Sequence, residues 1–244
     1  MSPVFAVARR ELRAYFATPL APVFTIIFLL LAGAATFYVV NFFETGQADL
    51  QVFFLLHPGL YLLLVPAVAM PLWAEESRSG TIELLFTQPI SLWQAVMGKF
   101  LAARVFIALA LSLTFPLWIT VNWLGSPDNG VIVAGYLGSL LLAGSFLALG
   151  CCMSAITRSQ VVAFILTVLA LFSGMAVGDK IAIDALNHLL PRSVVDALVG
   201  YSFLTHFRAI TRGVLDLRDV SYFVLAILSW LGATVIVLEF RRAD

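Results

Sequence analysis

The side chains that could do chemistry are concentrated in one polar segment, Trp73 to Ser91, between two long apolar stretches. This segment, WAEESRSGTIELLFTQPIS, holds four of the 28 charged side chains: Glu75, Glu76, Arg78 and Glu83. Carboxylates beside an arginine can form ion pairs with a soluble partner. A short helix held between two membrane spans can also transmit a movement of that partner to the spans. The segment is therefore a candidate contact site.

The sequence has no nucleotide-binding loop of its own. The nearest pattern, Met97 to Phe100 (MGKF), has Phe where a phosphate-binding loop needs Ser or Thr, and Trp93 stands where the loop needs its first Gly. We therefore expect no cofactor on this chain.

Other catalytic and metal-binding patterns are also missing. There is no HExxH or GxSxG motif, and the histidines His57, His188 and His206 are far apart and predicted near the outer side. Serines in the apolar stretches have no obvious histidine partner, which disfavours an intramembrane serine protease. No acid is predicted at mid-membrane depth, which weighs against proton-coupled transport. The adjacent Cys151 and Cys152 are interpreted as small apolar fillers, and no metal site is expected.

The composition is typical of a membrane protein. Of the 244 residues, 61% are hydrophobic and 11% are charged, against about 25% charged in soluble domains. The formal net charge is zero, which argues against a nucleic-acid partner. The first apolar run is too long for the apolar core of a signal peptide, so no cleavable signal peptide is expected.

Six stretches are long and apolar enough to cross the membrane as helices, because backbone groups in lipid must be paired within the segment. The expected fold is a single all-α transmembrane domain over residues 1–244, with spans at about residues 21–41, 52–73, 100–124, 131–156, 161–178 and 220–240. Pro58, Pro66 and Pro71 predict a kinked or segmented second span. Small residues four apart in the fourth span predict close helix packing, with a ligand-lining role as the alternative.

The basic residues predict the orientation of these spans. With both termini inside, nine Lys and Arg lie on the inner side and five on the outer side. The chain is therefore expected to be a multi-pass membrane protein with both termini in the cytoplasm.

The N-terminal segment, residues 3–18, predicts an amphipathic helix that lies in the membrane interface. Arg9, Arg10 and Arg13 share one arc of this helix, and apolar residues fill most of the opposite side. The arginines would face anionic membrane lipids. Glu11 falls among the apolar residues and needs a basic partner on a neighbouring helix or subunit, unless it extends to the headgroups.

The polar segment, residues 74–91, is predicted to fold as a short helical hairpin. Gly80 permits a tight turn, and Thr81 can cap a short amphipathic helix that presents an acid to water. Pro89 ends this helix. The following SLWQ, Ser91–Gln94, is the pattern of a capping box at the start of the next helix.

The long outer segment, residues 179–218, predicts short helices that dip into the outer interface. Ser193 with Asp196 can cap one of these helices. A charged cluster near the last span forms either a salt-bridged collar or a solvated surface with weak ion pairs; its members are Arg208, Arg212, Asp216, Arg218 and Asp219.

These features together resemble the permease subunits of type-2 ABC transporters. In that family an interfacial "elbow" helix precedes six spans, short re-entrant helices connect spans five and six, and a "coupling" helix lies between spans two and three. The coupling helix has a signature similar to E-x-x-x-G-T-x-E-x-L-x-x-x-P, which Glu76 to Pro89 match in order and spacing. Leu204 to Phe223, LTHFRAITRGVLDLRDVSYF, is similar to the GldF branch, the gliding-motility-associated permeases, with NosY and NatB types as relatives.

The resemblance implies a location in the bacterial inner (cytoplasmic) membrane, a separate subunit that uses ATP and Mg²⁺, and a mechanism. Two permease subunits, identical or different, would pair, each docked on one copy of a cytoplasmic ABC ATPase. ATP binding would close the ATPase dimer, move the coupling helices and rearrange the spans. The contact would be made mainly by Glu75, Glu76, Arg78, Gly80, Thr81, Glu83 and Pro89, with the elbow residues Arg9, Arg10, Glu11 and Arg13 as lesser candidates.

Three functions are compatible with the sequence. The first is the permease subunit of an ATP-driven exporter that moves a substrate across the inner membrane. The second is an energy coupler that moves no substrate and relays ATPase motion to a large extracytoplasmic partner. The third is an intramembrane enzyme.

Overall fold

The chain is helical throughout the parts that the computed structural model describes, which are residues 2–39, 49–87, 89–178, 183 and 191–243. No strand occurs within these residues, so the all-α class is confirmed for them. A π-helical turn, Ala35–Val39, extends the second helix. In chain order the α-helices are α1 (Pro3–Ala17), α2 (Leu20–Ala34), α3 (Gln51–Ala69), α4 (Pro71–Ser79), α5 (Thr81–Phe86), α6 (Leu92–Ser112), α7 (Phe115–Leu124), α8 (Asn129–Ile156), α9 (Gln160–Ala176), α10 (Arg192–Gly200), α11 (Phe203–Ile210) and α12 (Leu217–Ala243).

Several of these helices are long and apolar enough to cross a membrane. Within the described ranges there are five such stretches: Ala21–Tyr38, Gln51–Ser79, Leu92–Leu124, Asn129–Ile156 and Leu217–Arg242. Helix α9 is apolar as well, but it is shorter, with 17 residues. The chain is therefore a multi-pass membrane protein.

Two predicted spans have different boundaries in the structure. The second continues past residue 73 through α4 to Ser79, so the first part of the polar segment extends an apolar helix. The third begins at Leu92 and is interrupted between α6 and α7, where Pro116 removes a backbone N–H. A span predicted from hydropathy ends at the first polar residues. An α-helix, by contrast, continues wherever its backbone N–H and C=O groups stay hydrogen-bonded. The predicted end of the first span at residues 40–41 lies outside the described residues, and so does the first part of the predicted outer segment, residues 179–190, apart from residue 183.

Helix α8 is the centre of the bundle, and α3, α4, α6, α9 and α12 pack against it. Glycines of α8 lie where neighbouring helices approach it closely. A Cβ added at Gly135 would lie 2.4 Å from ring carbons of Phe54 on α3, and one at Gly138 would lie 2.7 Å from Ile210 on α11. The packing role predicted for the small residues of this helix is confirmed.

Gly135→Ala should lower the free energy of unfolding by about 1–3 kcal/mol, because the added methyl group overlaps the Phe54 ring. Gly33→Ala is the matched control, since a Cβ at that position has no atom within 4 Å. Thermal unfolding of both variants in detergent checks this prediction. Equal midpoints for the two variants would contradict the close packing of α8 on α3.

Helix α1 packs along α6 rather than projecting from the bundle. Its buried Tyr15 donates a hydrogen bond to the Val68 carbonyl at 2.8 Å and stacks on Phe106. Closer to the N-terminus, a Cβ at Gly98 of α6 would lie 2.7 Å from the Val7 side chain. The absence of a side chain at Gly98 therefore lets α1 approach α6 closely.

Candidate functional site at the polar end of the bundle

The polar segment starts where Pro71 interrupts the helix formed by α3 and α4. Proline has no backbone N–H, and Ser154 of α8 supplies hydrogen bonds at this break. Its Oγ accepts from the backbone N–H groups of Trp73 and Ala74, both at 3.1 Å, and donates to the Met70 carbonyl at 2.8 Å. The start of α4 is thereby fixed to the central helix.

A buried lysine on α6 joins α4 to α1. Lys99 is 1% exposed, and its Nζ lies 2.8 Å from the Leu72 carbonyl oxygen and 2.8 Å from Glu76 Oε1. The same Nζ lies 3.5 Å from Glu11 Oε1 and 4.9 Å from the centre of the Trp73 ring. A buried ammonium group is stable only when it is paired and hydrogen-bonded, so these partners fix the position of Lys99.

Arg10 adds a second cation on the solvent side of this group. Its Nη2 lies 2.7 Å from Glu11 Oε1 and 3.5 Å from Glu76 Oε1. The hydrogen bond to Glu11 raises the pKa of Arg10, and partial burial opposes that rise. The prediction of a basic partner for Glu11 on a neighbouring helix is confirmed by Lys99 of α6. We call Arg10, Glu11, Glu76 and Lys99 the Lys99 cluster.

Two further contacts tie α4 to α9 and α12. The Gln160 side-chain amide at the start of α9 donates to the Glu75 carboxylate. Near the end of α12, Arg241 Nη1 donates to Ser77 Oγ at 3.0 Å, and its Nη2 donates to the Ile156 carbonyl. Helix α4 is therefore bonded directly to α1, α6, α8, α9 and α12.

Beyond Ser79 the segment turns and becomes exposed. Gly80 has a φ of 71°, in the left-handed region that glycine adopts without strain, so the predicted tight turn is confirmed. Thr81, predicted as a cap, is the first residue of α5, and its hydroxyl lies 2.9 Å from that of Ser79. Arg78, Gly80, Thr81 and Glu83 are exposed, and we call these four residues the tip.

The segment ends at the helix cap that the sequence predicts. Pro89 is exposed and precedes α6. Ser91 Oγ accepts a hydrogen bond from the Gln94 backbone N–H at 3.2 Å, and Gln94 Oε1 accepts one from the Ser91 N–H at 3.1 Å. This reciprocal pair is a capping box, as predicted.

The structure divides the predicted contact residues into two groups. Glu75, Glu76, Arg10 and Glu11 contact neighbouring helices, and of these four Glu75 and Arg10 are also exposed. The tip, Pro89, Arg9 and Arg13 are exposed. Neither Lys99 nor Ser154 stands out in the sequence as a contact residue. Two features of the sequence could have pointed to Lys99. It is a single basic residue beside an apolar run, and Glu11 on α1 needs a basic partner. Ser154 has no such signal, because serine is common in membrane helices.

The charged cluster near α12 lies at the opposite end of the bundle. Helix α9 begins at Gln160, beside Glu75, and the chain at its far end reaches Gly178. There Arg208 Nη1 lies 3.4 Å from the Gly178 carbonyl oxygen. This cluster and the tip are therefore separate sites.

At this far end, the acid Asp219 pairs with a histidine that the predicted collar does not include. Asp219 Oδ1 lies 2.6 Å from His206 Nδ1, and His206 Nε2 faces the Gly200 carbonyl oxygen at 3.0 Å. The Tyr222 ring stacks on the imidazole with 4.0 Å between centroids. These contacts hold α10, α11 and α12 together. Asp216 instead accepts from a backbone N–H at the start of α12.

A serine and a histidine also meet inside the bundle. Ser139 Oγ lies 3.1 Å from His57 Nδ1, and both residues are fully buried. The expectation that no serine in the apolar stretches has a histidine partner is therefore wrong. His57 Nε2 has no hydrogen-bond partner in the described part of the chain, and the rings of Phe53, Phe54 and Tyr61 surround the imidazole. Among the described residues no acid orients the imidazole, and both side chains are closed off from solvent. The pair links α3 to α8 as an interhelical hydrogen bond.

Comparison with known proteins agrees with this architecture. A family model described as ABC-2 family transporter protein matches residues 5–240, which include α1, the tip and nearly all of α12. No curated protein matches the chain. The chain therefore belongs to the ABC-2 family of transporter proteins, and it is a membrane permease component of an ABC transporter.

Proposed function

We propose that this chain is the permease subunit of an ATP-driven exporter and that the tip is its contact with a cytoplasmic ATPase. Permeases of the ABC-2 family have no catalytic site of their own and generally associate with an ABC ATPase and a second permease. In this assembly two permease subunits bind two ATPase copies, which use ATP and Mg²⁺. The tip then acts as the coupling helix of the transporter.

The combination of an exposed tip and a firmly held α4 carries this proposal. The tip presents Arg78 and Glu83 to a partner. The adjoining α4 is bonded to five other helices, which include the central α8. Packed helices move as rigid units, so a displacement of the tip is transmitted to several helices at once.

The two chain ends support a six-span topology with both termini in the cytoplasm. Arg10 near the N-terminus and Arg241 near the C-terminus both contact α4, at Glu76 and Ser77. Termini at the same end of the bundle require an even number of membrane spans. Five stretches of the described residues are long enough to be spans, so α9 is the sixth. Its 17 residues extend about 26 Å. The excess of basic residues at this end favours the cytoplasmic side of the inner membrane.

Helix α1 acts as the elbow helix in this proposal. It exposes Arg9 and Arg13 together with the apolar Phe5 and Phe16, and the Phe16 ring also contacts Phe106 of α6. This mixture suits the boundary between headgroups and acyl chains. Within the family, the similarity of Leu204 to Phe223 favours the GldF-like branch.

A non-transporting coupler is the second candidate, and one observation at the outer end favours it. Tyr201, Val214 and Leu217 are between 61% and 81% exposed beside the α10–α11 unit. Large exposed apolar side chains of this kind are typical of contacts with lipid or with another protein. Uptake assays in vesicles distinguish the two functions. ATP-dependent movement of a solute excludes the coupler, whereas ATPase stimulation by an extracytoplasmic protein without solute movement excludes the exporter.

Labelling of an introduced thiol tests the position of the tip. The two native cysteines, Cys151 and Cys152, are at most 3% exposed, so Glu83→Cys supplies the one reactive surface thiol. A membrane-impermeant maleimide should label this variant in inside-out vesicles and not in intact spheroplasts. Added ATPase subunit should then protect the thiol, because it covers the tip.

Val214→Cys is the matched control for this labelling. Val214 is 61% exposed and lies at the opposite end of the bundle, so its thiol should react in intact spheroplasts and be indifferent to the ATPase. Labelling of Glu83→Cys in intact spheroplasts would place the tip outside the cytoplasm and overturn the proposal.

A further inference from the structure

Four arginines line one cavity beside the tip. The cavity has a volume of about 720 Å³ and is formed by the α4–α5 turn, the α8–α9 connection and the end of α12. Its charged lining consists of four positive groups and one negative group: Arg78, Arg158, Arg241, Arg242 and Glu83. Ser77, Gly80 and Ile82 complete the wall.

The position of Arg241 in this cavity is set by neutral groups. Its guanidinium donates to the Ser77 hydroxyl and to the Ile156 carbonyl, and neither of these groups balances its charge. Arg158 is close enough to Arg241 to repel it. An anion between these two arginines would relieve this repulsion and meet donors that are already oriented.

Apolar surface adjoins the cavity on both sides. Helices α9 and α12 each pack against α8. Close to the cavity, α9 exposes Val161 and Ile165, and α12 exposes Ile236 and Phe240, each between 49% and 72%. These side chains continue from the arginines along the helices, which is the arrangement that an amphiphile with an anionic head and apolar tails requires.

We propose that this cavity binds the phosphate group of an anionic phospholipid, whose acyl chains lie along α9 and α12. Guanidinium groups bind phosphate oxygens in pairs of parallel hydrogen bonds, and basic pockets between membrane helices recognise phospholipid headgroups in this way. The adjoining apolar surface favours a lipid over a soluble acidic peptide. The site requires only this chain and does not depend on contact with the ATPase.

Lipid competition with the purified full-length chain tests the proposal without any ATPase. In mixed micelles, phosphatidylglycerol should be retained in preference to phosphatidylcholine, as measured by native mass spectrometry. The double variant Arg158→Gln, Arg241→Gln should reduce this preference roughly thirtyfold, because each arginine near the membrane surface contributes independently. Arg212→Gln, which removes an exposed arginine at the opposite end of the bundle, should leave the preference almost unchanged.

Further measurements distinguish a phospholipid headgroup from free inorganic phosphate as the ligand of the cavity. Inorganic phosphate at the same concentration should fail to displace phosphatidylglycerol, since it gains nothing from the apolar surface. Displacement by inorganic phosphate, or equal loss in the Arg212→Gln control, would overturn the lipid site. If the double variant fails to fold, the single variant Arg158→Gln, at an exposed position, should still lower the preference about fivefold. An unchanged preference in that variant would also overturn the proposal.

Discussion

Lys99→Met is expected to lower the free energy of unfolding by about 3–5 kcal/mol, because it removes one partner of a buried ion pair. The Lys99 side chain is 2% exposed. Its removal takes the cation from the Leu72 carbonyl and leaves the Glu76 and Glu11 carboxylates with only the exposed Arg10 between them. The repulsion between the two carboxylates would then be only partly balanced at the junction of α1, α4 and α6, and α1 should separate from α6.

The measurement is thermal unfolding in detergent, combined with limited proteolysis of α1. The midpoint should fall by roughly 10 °C, and α1 should be cleaved faster than in the unaltered protein. Arg13→Met is the matched control, since it removes an exposed cation from α1. Adding Glu76→Gln to Lys99→Met should restore part of the lost stability, because one uncompensated charge is removed. Equal midpoints for Lys99→Met and Arg13→Met would show that the Lys99 cluster contributes nothing to stability.

Glu83→Lys is expected to reduce stimulation of the ATPase by the permease at least about tenfold, because a like charge placed in an interface weakens it by several kcal/mol. Glu83 is exposed at the tip, and none of the contacts that hold α4 depends on it. The variant should therefore unfold at the same temperature as the unaltered protein. ATPase activity in proteoliposomes and co-purification of the two subunits are the readouts.

Glu239→Lys is the matched control for this prediction. It makes the same charge change at an exposed position of α12, close to Arg241 and outside the tip. Glu76 is unsuitable for this test, although the sequence analysis gives it equal weight, because its carboxylate is bound to Lys99. A change at Glu76 would therefore alter stability as well as contact with the ATPase. If Glu83→Lys retains full stimulation and co-purification, the tip is not the ATPase contact.

Features that depend on a few neighbouring residues could be predicted from the sequence. The capping box needs only Ser91 and Gln94, and the turn at Gly80 needs only a residue that tolerates positive φ. Helix boundaries were less predictable. The helix through Pro71 continues to Ser79 because Ser154, which lies far along the chain, bonds the backbone at the break. No local pattern contains that information.

The partners of individual side chains could not be predicted from the sequence. They depend on the rotation of each helix about its axis and on its register against its neighbours. Helices that are apolar on every side carry little information about which side faces a neighbour. The sequence therefore indicated that Glu11 needs a cation and could not identify Lys99. For the same reason it left Ser139 without a partner, although His57 lies beside it.

The sequence by itself determined that this protein is an all-α membrane protein with a polar segment between its second and third apolar stretches. Composition and local backbone chemistry are sufficient for that conclusion, because lipid admits few ways to pair a backbone. Only the tertiary structure decided that Lys99, Ser154, Gln160 and Arg241 hold α4 in place and that both chain ends meet there. These contacts join residues far apart in the chain, and they exist only once the helices have packed in one register.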